Sequence, residues 1–462
     1  MSRRLFFLII SLSLLLIPFG TVLAQSSTDN PVYVVQPGDT LNLIAQEFGI
    51  SVKSIIQLNN ISDPNSLNAG DNLMIPGLEG VQGVLTVSAV PLGYDLQALS
   101  VGFQIPRAQL ARINRVTSPS EIFTGANLIL SQTSQDSKLE QIGQLGSGQS
   151  LLEAAISSHT NPWTLAAVNN TASPSHLVSG STLFYNFGKD QTASINNSLV
   201  IKMEAQPLPL RQGNTFVLRV FTHGAVNLTG KLGDQELVFH QEKEGQYVAL
   251  QGIYALAAPG LTSLQVNAFS DQGVAFSSEE SLLIKSGNYP QDPPLTVDPK
   301  TIDPVYTKPE DDQVANATHP STAEKLWSVK FRAPVDSPCI KSSYGNRRSY
   351  NGGPYSYFHT GVDFGVCANN LNIYAPAPGK VVFVGLLTVR GNATIIDHGW
   401  GVYSGFYHQS KTLVKVGDTV TTGQIIGQIG ATGRVTGPHL HWDLFINGVQ
   451  VNALDWLDRV YP

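Results

Sequence analysis

Five of the chain's ten histidines, His359, His398, His408, His439 and His441, fall in its last quarter, a clustering that asks for a chemical reason. His359-Thr360-Gly361-Val362-Asp363 sets an imidazole and a carboxylate four residues apart. Zinc accepts such nitrogen and oxygen donors at about 2.0 to 2.2 Å. In Pro438-His439-Leu440-His441-Trp442-Asp443-Leu444 polar and apolar residues alternate. On a strand this puts His439, His441 and Asp443 on one face and Leu440, Trp442 and Leu444 in the core, so two imidazoles aim at a common point. Singly, either pattern is more often a surface or internally bonded histidine than a ligand. Together they can supply three protein ligands and leave a fourth position to water, the layout of a catalytic zinc site. Asp443 reads as a solvated carboxylate or as a partner that orients a ligand imidazole. His398, between Asp397 and Gly399, reads as a turn residue.

Groups so far apart in sequence need a sheet to bring them together. The segments 380–384, 393–397 and 424–429 are short, apolar and bounded by turns, which predicts a compact antiparallel β domain around the histidines. Upstream, residues 196–286 alternate in the manner of an antiparallel β-sandwich, a spacer in which His223 and His240 stand isolated. Residues 287–325 are rich in Pro, Asp and Thr and poor in apolar side chains, which predicts an extended, semi-rigid linker.

The N-terminal third repeats itself. Leu58-Asn59, Ile113-Asn114 and Val168-Asn169 recur at an interval of 55 residues, from 58 to 113 to 168. Pro64, Pro119 and Pro174 keep the interval, as do Gly70, Gly125 and Gly180, and Leu41, Leu96 and Leu151. Four classes of position in register over three copies define a repeat. Each copy has a short strand, a helix of 3-to-4 apolar spacing, a second helix ending near the Asn, and a closing strand, a βααβ unit.

The first copy, from Tyr33-Val34-Val35-Gln36-Pro37-Gly38-Asp39-Thr40-Leu41 to Leu73-Met74-Ile75-Pro76, resembles the LysM module. The resemblance, over residues 32–77, implies binding of glycans that contain N-acetylglucosamine. The copies at 84–131 and 139–186 are degenerate, with Pro91-Leu92-Gly93-Tyr94-Asp95 and Gly146-Ser147-Gly148-Gln149-Ser150 where the first has its turn. They are expected to keep the fold, as spacers or as further binders.

Residues 331–462 resemble peptidase family M23, the lysostaphin and LytM type of peptidoglycan endopeptidase. The carriers, in family order, are Ser343-Tyr344-Gly345-Asn346-Arg347-Arg348, the run from His359 to Gly365, Ala375-Pro376-Ala377-Pro378-Gly379, Asp397-His398-Gly399, Tyr407-His408 and the stretch from Thr432 to His441. The resemblance implies that His359, Asp363 and His441 hold zinc and that His408 and His439 are catalytic without being ligands. It also implies peptidoglycan as partner, its peptide as substrate and its glycan as LysM ligand. The family's latent members place an asparagine-bearing segment over the metal, and no counterpart is recognisable here.

Composition agrees. The chain has 462 residues, too many for one ordinary core, and with 42% hydrophobic and 13% charged residues it reads as several mainly β domains. Its formal charge is -6, and -8 without Arg3 and Arg4, which excludes a basic nucleic-acid footprint. Residues 1–24 read as a signal peptide, with Arg3 and Arg4, an apolar stretch from Leu5 to Phe19, and Val22-Leu23-Ala24 as cleavage site. The expected location is therefore secreted or cell-envelope, with no stable membrane span after cleavage. Cys339 and Cys367 form a disulfide or stay as two buried thiols. The expected activity is that of a zinc metallo-endopeptidase on stem peptides or cross-bridges. The alternatives are a non-enzymatic, wall-binding regulator of an amidase, or a glycosidase, which needs a carboxylate pair that is not apparent.

Overall fold

The computed structural model describes residues 31–462 except 37, 79, 82, 119–120, 133–138, 146–149, 158–159, 176–181, 186–199 and 272–274. The signal peptide expected at 1–24 lies outside the described residues, as does Pro37 of the first repeat's turn. Among the described residues no helix is long and apolar enough to cross a membrane. The chain divides into two compact units, residues 1–84 and 85–462.

The first unit contains the strands Val32–Val34 and Asn72–Met74, paired antiparallel, and the helices Leu41–Glu47 and Val52–Asn59. The turn residues have specific tasks. Asp39 accepts hydrogen bonds from Tyr33 Oη (2.7 Å) and the Gln36 amide (2.8 Å), and Thr40 caps the first helix by accepting from the Leu43 amide at 3.2 Å.

The second unit repeats the βααβ order twice, from Val84–Ala89 to Asn127–Gln132 and from Glu140–Gln144 to Thr182–Tyr185. The structure explains why an Asn recurs. Asn59, Asn114 and Asn169 each donate from Nδ2 to the carbonyl four residues back and to that of the residue fifteen ahead, whose amide returns a bond to Asn Oδ1. One side chain thus satisfies the end of the second helix and clamps it to the closing strand.

A sandwich follows. Its two sheets hold Gly260–Phe269 and Ala275–Lys285 on one side and Gln246–Gly252 and Thr215–Thr222 on the other. Val217, Val248 and Leu250 of the second sheet pack into the core of the C-terminal domain, so this spacer is docked.

The C-terminal domain is built on an antiparallel sheet in the order Ile340–Ser342, Val362–Gly365, His439–Ile446, Val402–Gln409, Gly391–Asp397, Gly379–Leu387, Thr419–Val420. Leu440, Trp442 and Leu444 are fully buried beneath it. Cys339 and Cys367 are joined in a disulfide, which ties the chain just before Ile340–Ser342 to the chain just after Val362–Gly365.

The linker expected over 287–325 is not simply extended. It contains the helix Pro304–Thr318, capped by Asp303, which accepts from the Val305 amide, with Pro304 at the first helical position. Before the helix, the amides of Asp292 and Leu295 donate to the carbonyls of Arg347 and Ser349. Backbone pairing, the burial of Val314 and a buried Glu310 hold this segment down without the apolar content that sequence reading looks for.

Candidate metal centre

Asp363 and His441 lie 78 residues apart in sequence and directly opposite each other in the antiparallel pair Val362–Gly365 and His439–Ile446. His359 enters from the turn just before the first of these strands. That turn passes so close to its neighbour that a Cβ on Gly361 would stand 2.3 Å from the Trp442 carbonyl oxygen, so only glycine fits. His359 Nε2, Asp363 Oδ1 and His441 Nδ1 form a triangle with every edge 3.0 Å.

The outer nitrogens set the tautomers. His359 Nδ1 faces the Ser343 carbonyl at 2.9 Å. A carbonyl only accepts, so Nδ1 carries the hydrogen and Nε2 turns its lone pair inward. His441 Nε2 donates to Asp443 Oδ1 at 2.7 Å, which leaves Nδ1 for the centre. Burial depresses the His359 pKa and keeps that ring neutral. Burial alone would lower His441 too, but the Asp443 charge and hydrogen bonds to Asp363 and Asp443 lift it to about 9. Against the opposing effect of burial, the close imidazoles of His359 and His441 hold the Asp363 carboxyl far below its ordinary range.

The donor set of two imidazole nitrogens and one carboxylate oxygen fits a divalent ion. Three ligands at about 2.0 to 2.1 Å in tetrahedral order lie about 3.3 Å from one another, a few tenths of an ångström more than the edges seen. Each imidazole has an oxygen partner behind it, the arrangement that fixes metal-ligating histidines.

Two more histidines flank the triangle. His439 precedes His441 on the same strand face, its Nδ1 bonded to the Gly437 carbonyl (2.9 Å) and its Nε2 3.6 Å from Asp363 Oδ1. His408 sits on a bulge of Val402–Gln409, with a φ of 60°. Its amide donates to the Arg390 carbonyl and its Nδ1 to the Thr432 carbonyl at 2.8 Å. Both rings therefore carry hydrogen on Nδ1 and offer Nε2, and their centroids are 4.9 Å apart. Burial and the neighbouring His441 and His439 push His408 down to about 3, so the ring is neutral.

Residues 357–453 match the model of peptidase family M23, and residues 33–76 match that of the LysM domain. The chain carries an M23 domain and a LysM domain. A segment of 132 residues is 40% identical to the peptidoglycan DD-endopeptidase ShyA of Vibrio cholerae, covering 28% of this chain and 30% of that protein. Another of 112 residues is 39% identical to lysostaphin of Staphylococcus staphylolyticus, covering 22% of each. The chain thus spans about a third or less of the curated relatives it matches. Among solved structures, the catalytic domain of lysostaphin from Staphylococcus simulans is 33% identical, with coverage of 27% of this chain and 94% of that one and a TM-score of 0.24.

All five residues named from the M23 motifs converge on one groove of about 1480 Å³. His398 lies apart, fully buried, bonded to the Pro378 carbonyl and Ser404 Oγ. Asp443 corrects an expectation: it is completely buried, not solvated, because its strand face lies under the groove against Tyr407 and Thr360 rather than in water. Sequence reading missed Glu310 and Arg390. Arg390 is held by Glu310 at 2.6 Å and Asp311 at 2.9 Å, and its backbone carbonyl anchors the His408 amide. Arg348 also borders the centre, 3.7 Å from Asp363 Oδ2.

Proposed function

We propose that the M23 domain is a zinc-dependent endopeptidase that hydrolyses peptide bonds in peptidoglycan stem peptides or cross-bridges, and that the LysM domain brings it to the wall by binding glycan. The observation that carries the reading is the His359, Asp363, His441 triangle flanked by two histidines whose free nitrogens face the same groove. ShyA and lysostaphin support the substrate class through their likeness to this domain. An exported protein fits such a substrate, and residues 1–24 are read as its signal peptide.

His359, Asp363 and His441 would hold the ion, Asp443 and the Ser343 carbonyl keeping the two imidazoles in the ligating tautomer. When bound, zinc would supply Lewis acidity, polarising the scissile carbonyl and making a water acidic near neutral pH. His408 Nε2 is free to take the proton from that water, since Nδ1 is spent on Thr432. In its doubly protonated form His439 can also donate from Nε2, to the developing oxyanion or to the leaving amine, while Nδ1 keeps its bond to the Gly437 carbonyl. Both rings keep their aim because each is tied to a backbone carbonyl.

Incubation of the full chain with purified peptidoglycan, followed by mass spectrometry of released fragments, tests the reading. New amino and carboxyl termini within the peptide are the expected products. Release of reducing sugar without peptide cleavage would assign the domain to glycosidases, and no release at all would favour a wall-binding regulator.

Two outcomes follow for single parts. Asp443→Asn should weaken zinc affinity by about 10- to 100-fold, because the amide can present its N–H to His441 and favour the other tautomer. Competition with a chromogenic chelator reads this, and unchanged affinity would return Asp443 to a purely structural role. Deleting residues 32–77 should remove most of the pull-down on insoluble peptidoglycan, since only this copy has the Asp39 and Thr40 turn. Undiminished pull-down would move wall binding to the other repeats.

A further inference from the structure

The Pro304–Thr318 helix lies outside the span that matches the M23 family, yet it presents a buried carboxylate to the loop behind His408. Glu310 is 2% exposed and accepts three bonds: from the Val389 amide (2.7 Å), the Arg390 amide (3.2 Å) and Arg390 Nη1 (2.6 Å). The Arg390 carbonyl accepts the His408 amide, and the Val389 carbonyl accepts the Arg434 amide. Thr432, two residues before Arg434, supplies the carbonyl that fixes His408 Nδ1. Hydrogen bonds and the short backbone stretch from Arg434 to Thr432 therefore connect Glu310, through residues 389 and 390, to the carbonyls that anchor the His408 amide and ring.

We propose that Glu310 is a positioning residue for His408, making the linker helix a working part of the active site. The proposal rests on the peptidase reading above. His408 has a left-handed backbone, which most residues avoid unless their surroundings impose it. What imposes it here is the 388–390 turn, and two successive amides and a guanidinium of that turn share one carboxylate. Without Glu310 the guanidinium keeps only Asp311, more than half exposed, and the Tyr407 ring, and the two amides lose the carboxylate that holds them. The turn then loosens, and the ring it anchors loses the alignment that proton transfer needs. Misplacement of a catalytic group by about 1 Å costs on the order of 10²-fold in rate.

The test uses the zinc-loaded full chain with Glu310→Ala, and Val314→Ala as control. Val314 docks the same helix through apolar packing and leaves the carboxylate in place. Glu310→Ala should lower kcat by about 10- to 100-fold with KM and zinc content little changed. Nitrogen-15 spectra of the histidine side chains should show His408 passing from a single Nδ1–H tautomer to a mixture. Val314→Ala should lower Tm while keeping kcat and the tautomer. Glu310→Gln reads the same way should the alanine variant fail to fold. A kcat loss with the His408 tautomer intact, equal losses in both variants, or wild-type kcat in Glu310→Ala would each overturn the proposal. If the wild-type chain cleaves no peptide, the peptidase reading fails, while the tautomer measurement still decides whether Glu310 positions His408.

Discussion

His408→Ala should lower peptide-bond hydrolysis by about 10² to 10⁴ while zinc content stays at one ion per chain. The proposed ion already has three protein donors in His359, Asp363 and His441, and none of them is free to move a proton. His408 is fixed at its amide and at Nδ1 by two carbonyls, and Nε2 is its one free nitrogen. Its low proton affinity, pushed to about 3 by burial and by His441 and His439, keeps it unprotonated at neutral pH. A histidine that only filled the bulge would affect stability and leave turnover near the wild-type value. Parallel measurement of kcat, zinc and Tm separates the roles: near-wild-type turnover, or loss of zinc, would show that the residue is misassigned.

His441→Ala should go further, removing both the metal and measurable activity. His441 is the one residue that touches both other corners of the triangle and also the buried Asp443. Its loss leaves Asp443 as an unpaired charge in a site with no water access, a defect that typically costs about 3 to 5 kcal/mol. The variant should therefore bind no zinc at micromolar concentration and unfold at a lower temperature. Stoichiometric zinc in purified His441→Ala would contradict the ligand assignment. Asp363→Ala provides an independent check, because it removes a ligand and the neighbour of Arg348 while leaving Asp443 its bond from His441.

The contrast between these residues and Glu310 shows how far the sequence carries. His359 and Asp363 share one short motif, and alternation over 438–444 puts His439 and His441 on one face, so most of the centre is legible in local spacing. The pairing of Asp363 with His441 follows from strand register, which no local pattern reveals. Asp443 misleads because alternation sorts residues by face and says nothing of whether a face meets water. Glu310 is invisible for another reason: its segment has little apolar content, and it is held by backbone pairing and one carboxylate rather than by a hydrophobic stripe. A signal was present in Asp303-Pro304, a cap followed by proline at the first helical position, which announces a helix where a linker was expected. The repeated Asn is readable as a repeat at once, while its function as a clamp fifteen residues forward shows only in the folded chain.

The most direct test of the central claim is to strip the purified full chain of metal with a chelator, measure cleavage of peptidoglycan-derived peptides, and then restore zinc. One zinc per chain is expected before treatment, with loss of peptide-bond cleavage when the ion is removed and its return on addition of one equivalent of zinc. Undiminished cleavage by protein shown to be free of metal would contradict the claim.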